Sequence, residues 1–222
     1  PLMNSSSSKE DKFVNSLGFN LTTAQEKAWK EIKSDFNKEI PMRRLLQGDV
    51  GSGKTVIAAL AALQASQNGL QTALMCPTEI LAEQHYANVS SWFSKLGIKV
   101  DLLLGATKAK ERKRILEDLG KGTTKILIGT HTLFQKSVIF QAIGLTIIDE
   151  QHRFGVHQRF SLLEKGGSKE QSPHQLIMTA TPIPRTLSMT VYGALDTSVI
   201  DELPPCRRPV DTTSRPNSMR EK

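Results

Sequence analysis

The hydrophobic positions of the chain fall into short, nearly continuous runs, separated by turn residues and longer helical patterns. Continuous apolar runs are typical of strands that are buried on both faces of a sheet. Regular alternation of such strands with helices predicts an α/β fold with a mostly parallel central sheet and helices on both faces. The runs predict seven strands, at residues 44–47, 72–76, 100–104, 125–128, 145–148, 175–178 and 198–200.

Helical patterns occupy most of the segments between these runs. Before the first strand, the string TTAQE starts a helix that carries Ala28, Trp29 and Ile32. The spacing of Thr22 and Gln25 in that string is that of a capping box, in which two residues bond each other's backbone N–H groups. The patterns predict further helices at residues 54–66, 80–96, 108–119 and 184–192.

The two ends of the chain differ in composition from its middle. The first residues are rich in serine and lack the apolar stretch of a signal peptide. We therefore expect residues 1–18 to be a disordered polar lead and residues 19–201 to form the folded domain. The string LPPCRRP that follows this domain is typical of a linker, so residues 202–222 are expected to be a linker or tail.

Charge and cysteine content narrow the class of protein. The 222 residues carry a formal net charge of +7, which suits a polyanionic partner such as nucleic acid but also fits an ordinary solubility charge. Cys76 and Cys206 stand far apart and outside any metal-binding spacing, so neither zinc nor a disulfide framework is predicted. No apolar run has the roughly 18 residues that cross a bilayer. We expect a protein of a reducing cytoplasm without a membrane partner.

The string GDVGSGKT, at residues 48–55, has the spacing of a phosphate-binding loop. It follows a predicted strand and begins a predicted helix, which favours nucleotide binding over the alternative of a plain glycine-rich turn. Backbone N–H groups of such a loop surround phosphate oxygens at the positive end of the helix dipole. Lys54 is expected to bond the β and γ phosphates of ATP, and the Thr55 hydroxyl to ligate Mg²⁺. The predicted nucleotide-binding residues of the loop are Gly48, Val50, Gly51, Ser52, Gly53, Lys54 and Thr55.

Two carboxylates, Asp149 and Glu150, stand at the end of a later apolar run. Ligands of open α/β sheets sit at the carboxyl ends of strands, so this pair is placed for chemistry. Asp149 is expected to hold the metal, and Glu150 to orient and deprotonate the attacking water; Lys54 completes the predicted catalytic set. A solvated turn is the alternative, but the phosphate-binding loop favours the catalytic interpretation.

Thr179 and Thr181 stand at the end of the next predicted strand. We expect their hydroxyls to hydrogen-bond the loop that contains Gln151 and His152, and so to couple that loop to the γ-phosphate. An ordinary polar turn is the alternative.

Residues 149–152 resemble the DExH box of superfamily 2 helicases, and residues 179–181 resemble their motif III. Longer strings are similar to the RecG family of bacterial ATP-dependent DNA translocases, which remodel stalled replication forks. The resemblance covers residues 19–210, through the strings LLQGDVGSGKT, PTEILAEQH, ILIGTH, IIDEQHRFGVHQR, MTATPIPRTL, TVYGALD and VIDELPPCRRPV. The transcription-repair coupling factors share the segments GDVG, GTH, HRFGV and TATPIPRT, whereas DEQH and ELPP-x-RRP favour the RecG family.

The resemblance implies a RecA-like P-loop NTPase domain and roles for further residues. Gln25 matches the adenine-binding glutamine of the Q motif, although its capping-box position leaves a purely structural role open. Several turns at strand ends are implied to contact DNA phosphates without reading bases, and a plain turn is the alternative for each. Residues after the DExH box are implied to couple hydrolysis to DNA motion, with a solvated helix end as the alternative. The implied DNA-contacting residues are Pro77, Thr78, Glu79, Gly105, Thr107, Thr130, His131, Arg153, Phe154 and Arg159.

The resemblance also implies parts that this sequence does not contain. Members of the family have a DNA-binding wedge domain before this lobe, and a second motor lobe with an arginine finger after it. We therefore expect a monomeric first motor lobe that acts on branched DNA within a larger protein of the bacterial cytoplasm. Alone, it is expected to bind Mg·ATP or ADP and to hydrolyse ATP slowly.

Two other classes of protein fit the sequence less well. A P-loop kinase or nucleotide switch is disfavoured, because the carboxylate pair and the T-A-T turn indicate water as the nucleophile. A non-catalytic module stabilised by nucleotide is disfavoured by the intact Lys54, Thr55, Asp149 and Glu150.

Overall fold

The computed structural model describes residues 2–3, 7–149, 172–181 and 195–202 of the chain. Within them lies one sheet in which all paired strands run parallel. Each predicted strand is present, with small shifts at its ends. The strands are β1 (Arg43–Gly48), β2 (Gln71–Met75), β3 (Val100–Leu103), β4 (Ile126–Gly129), β5 (Ile143–Asp149), β6 (His174–Thr179) and β7 (Asp196–Ile200). Their order across the sheet is β3-β4-β2-β5-β6-β1-β7, which confirms the predicted α/β fold.

The helices of the described residues include all but one of the predicted helices. They are α1 (Ser7–Ser16), α2 (Thr23–Phe36), α3 (Lys54–Gln67), α4 (Glu79–Ser94), α5 (Ala109–Gly120) and a short 3-10 helix at His131–Phe134. The helix predicted at residues 184–192 lies outside the described residues. Within the described part of the chain, none of the helices has the length and apolar character needed to cross a membrane.

Side chains of the strands alternate between two hydrophobic clusters. On one face, Leu74 and Ile147 pack in the cluster that contains buried residues of α1 to α4. On the other face, Met75 and Ile148 pack in the cluster that contains Ile115 of α5. This period of two is expected for strands that are buried on both faces, and it confirms helices on both sides of the sheet.

The N-terminal segment differs from the predicted disordered lead, because part of it forms α1 and packs on the core. Phe13 of α1 is fully buried, and its ring centroid lies 6.1 Å from that of Trp92 and 5.6 Å from that of Phe93. Met3 is also fully buried, and its carbonyl accepts a hydrogen bond from Gln64 Nε2 at 2.9 Å. This packing was not predicted, since two apolar residues in a polar segment form no periodic pattern.

A buried ion pair joins β1 to α2 and to the edge strand β7. Arg44 Nε donates to Asp35 Oδ2 at 2.7 Å, and Arg44 Nη1 donates to the Ser198 hydroxyl at 2.9 Å. Burial acts to raise the pKa of Asp35, but hydrogen bonds from Arg44 and Lys38 hold that pKa below its ordinary value. The carboxylate is therefore charged at neutral pH; its pair with Arg44 joins α2 to β1, and Arg44 in turn bonds β7.

Candidate nucleotide and nucleic-acid site

The described residues that were predicted to carry chemistry lie mostly at one edge of the sheet. Because the paired strands are parallel, their carboxyl ends meet at the same edge. There, β1 leads into the phosphate-binding loop, β5 ends at Asp149 and β6 ends at Thr179. We call β5, β6 and β1, with the residues that follow them, the nucleotide half. We call β2, β4 and β3, with the turns that follow them, the DNA half, after the roles predicted for those turns.

The backbone of the phosphate-binding loop requires glycine. Gly51 and Gly53 have φ angles of 78° and 91°, in the left-handed region that other residues rarely adopt. A Cβ on Gly48 would lie 2.5 Å from the Ser52 hydroxyl oxygen, and a Cβ on Gly53 would collide with the Gln25 side chain. α3 starts directly after Gly53, which supplies no side-chain cap to the first N–H groups of the helix. The glycines therefore let the loop close tightly over an uncapped helix N-terminus.

The polar groups of the loop fit a polyphosphate. Lys54 Nζ donates to the carbonyl oxygens of Gly48 and Asp49 at 2.6 and 3.0 Å, so the ammonium group lies against the loop. The Ser52 hydroxyl is buried and has no hydrogen-bond partner among the described residues. The Val50 side chain is exposed, and the backbone N–H of Val50 donates to the Asp49 carboxylate at 2.7 Å. An ammonium group, an orphaned hydroxyl and a helix N-terminus around one loop are the donors that phosphate oxygens require.

Gln25 makes two different contacts with its side-chain amide. Its Oε1 accepts the Thr22 N–H at 3.0 Å, and the Thr22 hydroxyl accepts the Gln25 N–H at 3.2 Å, which is the predicted capping box. Its Nε2 donates to the Ser52 carbonyl of the phosphate-binding loop at 2.8 Å, a contact that the sequence did not predict. The side chain is buried, and it ties the start of α2 to the loop. Its adenine-binding role stays a prediction.

Asp149 has a partner that the sequence analysis missed. His85 of α4 approaches it, with 2.7 Å between His85 Nε2 and Asp149 Oδ2, and both side chains are nearly buried. The tautomer of His85 that carries its hydrogen on Nε2 donates it to this carboxylate oxygen. His85 belongs to the string PTEILAEQH and lies on the buried face of α4 with Ala82 and Val89. A polar residue on this apolar face could have indicated a buried partner, but a histidine on an apolar helix face is usually a core residue.

Cys76, which directly follows β2, lies close enough to this pair to be affected by its charge. Burial raises the pKa of the Cys76 thiol, and the negative charge of Asp149 raises that pKa further. The thiol is therefore protonated and unreactive at neutral pH.

The predicted coupling residues are described only in part. The Thr179 side chain is buried, and its hydroxyl accepts the Thr181 N–H at 3.1 Å, which forms a local turn. The expected contacts of these threonines with the DExH loop are not tested, because the other residues lie outside the described part of the chain. The coupling residues concerned are Gln151 and His152; the predicted catalytic Glu150 and the predicted DNA contacts Arg153, Phe154 and Arg159 also lie outside the described residues.

The turns after β2 and β3, which carry five of the predicted DNA contacts, touch each other. The Thr78 hydroxyl caps α4 by accepting the Leu81 N–H at 3.3 Å. The Glu79 carboxylate accepts the Gly105 N–H at 3.2 Å and so bridges the two turns. The Thr107 hydroxyl accepts the Leu104 N–H at 2.9 Å within the second turn. Pro77 and Thr78 are half-buried, and Glu79 and Gly105 are exposed.

The turn after β4 places its two predicted DNA contacts differently. His131 is exposed at the start of the 3-10 helix. The Thr130 side chain is buried, and its hydroxyl has no hydrogen-bond partner among the described residues. A phosphate contact through the Thr130 hydroxyl therefore requires a rearrangement of this turn, whereas His131 is accessible without one.

The parallel sheet, the glycine-rich loop between β1 and α3, and the carboxylate at the end of β5 define a P-loop nucleotide-binding domain. The sequence pattern of the DEAD/DEAH box helicases matches residues 22–190, and the chain belongs to this family.

Several bacterial relatives are more similar to the chain than the family as a whole requires, and they share one description. The chain is 57% identical over 205 residues to the ATP-dependent DNA helicase RecG of Pasteurella multocida, a match that covers 92% of this chain and 30% of that protein. It is 55% identical over 211 residues to RecG of Escherichia coli K12, covering 95% of this chain and 30% of that protein. The chain thus spans about a third of the length of these relatives. They favour the predicted RecG-like motor domain over the transcription-repair alternative.

Solved structures agree with the fold. A structure of RecG bound to a three-way DNA junction matches with a TM-score of 0.82 and 46% identity, over 94% of this chain and 27% of that chain. A structure of Mss116p bound to ssRNA and AMP-PNP matches with a TM-score of 0.67 and 20% identity, over 86% of this chain and 42% of that chain. The second likeness shows the fold alone.

Proposed function

We propose that the chain is the first motor lobe of a RecG-like DNA translocase, which binds Mg·ATP in the nucleotide half and DNA in the DNA half. One observation carries this proposal. The phosphate-binding loop, the Asp149 carboxylate and the turns after β2, β3 and β4 lie at the same edge of one sheet. Binding of DNA and hydrolysis of ATP can therefore act on the same set of strands.

In the nucleotide half, the chain's own residues bind and orient the triphosphate. The N–H groups from Gly51 to Lys54 bond the phosphate oxygens, and the Lys54 ammonium moves from the loop carbonyls onto the β and γ phosphates. The Thr55 hydroxyl and the Asp149 carboxylate are oxygen donors of the kind that Mg²⁺ prefers, and they would hold the ion. When bound, Mg²⁺ neutralises charge on the phosphate oxygens. Glu150, outside the described residues, keeps its predicted role of orienting and deprotonating the attacking water.

In the DNA half, we propose that exposed turn residues contact the phosphate backbone without reading bases. The turns offer few basic side chains, so we expect them to contact about 2–4 phosphates. Each contact should contribute about −0.7 to −0.9 to the slope of log affinity against log salt concentration. Branched DNA is the substrate we propose for the full-length protein. The similarity to RecG supports this, and one RecG structure contains a three-way junction.

We propose that this chain alone hydrolyses ATP slowly, as a monomer of the bacterial cytoplasm. It spans about 30% of its curated relatives, so residues beyond this chain are available in such proteins to complete the site. An arginine finger supplied from outside the lobe contributes about 10³–10⁵ in rate in other nucleotide hydrolases. Binding without efficient turnover is the expected behaviour of a lobe that lacks this contribution.

Phosphate release and nucleotide binding by the 222-residue chain test the proposal together. We expect Mg-dependent binding of fluorescent ADP and ATP analogues, with little release of phosphate even when DNA is added. Robust DNA-stimulated turnover would contradict the proposal that residues beyond this chain are needed for efficient hydrolysis. Absence of any nucleotide binding by the folded chain would contradict the proposal itself.

The adenine role of Gln25 is tested in the same binding assay. We expect the chain to prefer adenine over guanine nucleotides, and Gln25→Ala to remove that preference. Because Gln25 also contacts Ser52, the substitution should weaken binding of both nucleotides in addition. Equal weakening with the preference retained would assign Gln25 a structural role only.

A further inference from the structure

The contact between His85 and Asp149 joins the two halves of the site. Asp149 ends β5 in the nucleotide half, whereas His85 lies on α4, whose first turn follows β2 in the DNA half. The two atoms, Nε2 and Oδ2, are 2.7 Å apart, although the residues are 64 positions apart in sequence. Their side chains are only 10% and 11% exposed, so bulk water competes weakly for this bond.

The bond restrains the carboxylate that is predicted to hold Mg²⁺. It occupies one of the two carboxylate oxygens, and it limits rotation of the group about its side-chain bond. A hydrogen-bond partner behind a metal ligand orients that ligand, and loss of such a partner typically costs about 10–100-fold in metal affinity.

The same bond connects Asp149 to the turn that is proposed to contact DNA. Thr78 caps α4, and Glu79 is the first residue of the helix. His85 stands six positions after Glu79, about 9 Å along the helix axis at about 1.5 Å per residue. Ala82, Val89 and Phe93 of α4 are buried in one hydrophobic cluster, which favours displacement of the helix as a unit over local bending. A displacement of its first turn therefore also displaces His85.

We propose that His85 is a positioning residue that orients the Asp149 carboxylate for Mg²⁺ and links this carboxylate to the DNA-facing turn at Thr78 and Glu79. The inference rests on the proposed function, because it gives the bond a role in Mg·nucleotide binding. The competing explanation is a histidine that only satisfies a buried carboxylate and contributes to stability.

Substitutions at His85 separate the two explanations when metal binding is measured directly. His85→Gln keeps an N–H donor near the position of Nε2, whereas His85→Leu removes the donor and keeps an apolar side chain on the buried face. Binding of Mn²⁺, as a probe for Mg²⁺, is followed in the presence of ADP by the loss of the free-ion electron paramagnetic resonance signal. We expect His85→Leu to weaken Mn²⁺ binding about 10–100-fold and His85→Gln to restore most of it. ADP binding in EDTA should be the same in all three proteins.

His174 provides a matched control. It is another buried histidine, at the start of β6, and its Nδ1 accepts the Met42 N–H at 2.9 Å. His174→Leu should lower the melting temperature without changing Mn²⁺ affinity. Should His85→Leu fail to fold, His85→Asn is the alternative, because its amide is too short to reach the position of Nε2.

The link to DNA is tested by adding a short duplex at low ionic strength. Coupling between two sites is reciprocal, so DNA should change the Mn²⁺ affinity of the wild-type chain and of His85→Gln, but not that of His85→Leu. No change in the wild-type chain would overturn the link. Equal Mn²⁺ affinity of the wild-type and His85→Leu chains would overturn the positioning role and leave the proposed function intact. Absence of ADP-dependent Mn²⁺ binding by the wild-type chain would overturn both.

Discussion

The two halves of the sheet edge are held together in different ways. The loop and the carboxylate of the nucleotide half are held by residues remote in sequence: Gln25 Nε2 donates to the Ser52 carbonyl at 2.8 Å, and His85 of α4 approaches Asp149 from the side of the DNA half. In the DNA half, the Thr78 and Thr107 hydroxyls accept N–H groups within their own turns, from Leu81 and Leu104. Contacts of longer range there include the exposed bridge between Glu79 and Gly105, and the buried bond that the Thr132 hydroxyl donates to the Leu103 carbonyl at 2.7 Å.

This difference matches what each half is proposed to bind. A triphosphate is small and must be held in one geometry, so buried side chains from several elements fix the loop and the carboxylate. A DNA backbone is long and repetitive, so exposed turns can contact it without a rigid pocket. The loop and the carboxylate proposed to bind nucleotide thus depend on contacts between remote segments, whereas the turns proposed to contact DNA at Thr78 and Thr107 depend on local bonds.

The largest expected effect concerns α1, the support that both halves share. α1 contacts α3 of the nucleotide half, and Phe13 packs on Trp92 and Phe93 of α4. Phe13→Ala leaves a cavity at a fully buried position, so it should lower the free energy of unfolding by about 3–5 kcal/mol. Urea unfolding measures this loss, and Lys12→Ala, at an exposed neighbouring position, is the control. A loss below about 1 kcal/mol would show that α1 is not part of the folded core.

The next effect compares the removal of one lysine charge from the nucleotide half and from the DNA half. Lys54→Ala removes the ammonium group of the phosphate-binding loop, which should weaken Mg·ADP binding by about 3 kcal/mol, roughly 100-fold. Lys108→Ala removes the same charge from an exposed position in the DNA half and should leave nucleotide affinity unchanged. Isothermal titration calorimetry of both variants measures the effect. Similar losses in the two variants would indicate a general effect of net charge instead.

A smaller effect of opposite sign is expected at Glu79. Its carboxylate accepts the Gly105 N–H at 3.2 Å, so it occupies a donor that a DNA phosphate would use and also repels that phosphate. Glu79→Ala should tighten DNA binding by about 1 kcal/mol, roughly 5-fold at low salt. Glu83→Ala, an exposed glutamate of the same helix, controls for the change in net charge. Fluorescence anisotropy with labelled duplex measures both, and weaker binding by Glu79→Ala would identify Glu79 as a direct DNA contact.

The last effect concerns the stability of the wild-type chain at acidic pH and the buried ion pair at the start of β1. The folded pKa of Asp35 lies below its ordinary value because of Arg44 and Lys38, so its stabilising contribution is present above about pH 3.9 and is lost as the pH falls through the folded pKa. Thermal unfolding between about pH 5 and pH 2 should show this loss in the wild-type chain, and a flatter profile in Asp35→Asn. Asp11→Asn, at an exposed position, should keep the wild-type profile. If the melting temperature of Asp35→Asn fell with pH as steeply as that of the wild-type chain, the ion pair would be excluded as the cause of the acid-induced loss of stability.

The sequence predicted the strands and the phosphate-binding loop well because both are encoded locally. Continuous apolar runs mark buried strands, and the glycine spacing of the loop is itself the backbone requirement seen at Gly51 and Gly53. The capping box at Thr22 and Gln25 was found for the same reason, since its two partners lie three positions apart.

Other features escaped the sequence analysis because their meaning depends on a distant partner. Phe13 stands in a polar segment, and only its packing on α4 shows that it belongs to the core. His85 shares the buried face of α4 with apolar residues, so the helical pattern indicates a core position and not a partner of Asp149. The Thr130 hydroxyl was predicted to face a phosphate, but the turn buries it.

The amino-acid sequence by itself thus determined the parallel α/β class, the identity of the phosphate-binding loop and the start of α2. Each of these depends on residues that are neighbours along the chain. Only the tertiary structure decided that Gln25 contacts the loop, that α1 packs under both halves and that His85 meets Asp149. The physical reason is that hydrogen bonds and packing act over a few ångströms in space, and only folding brings residues 64 positions apart within that distance.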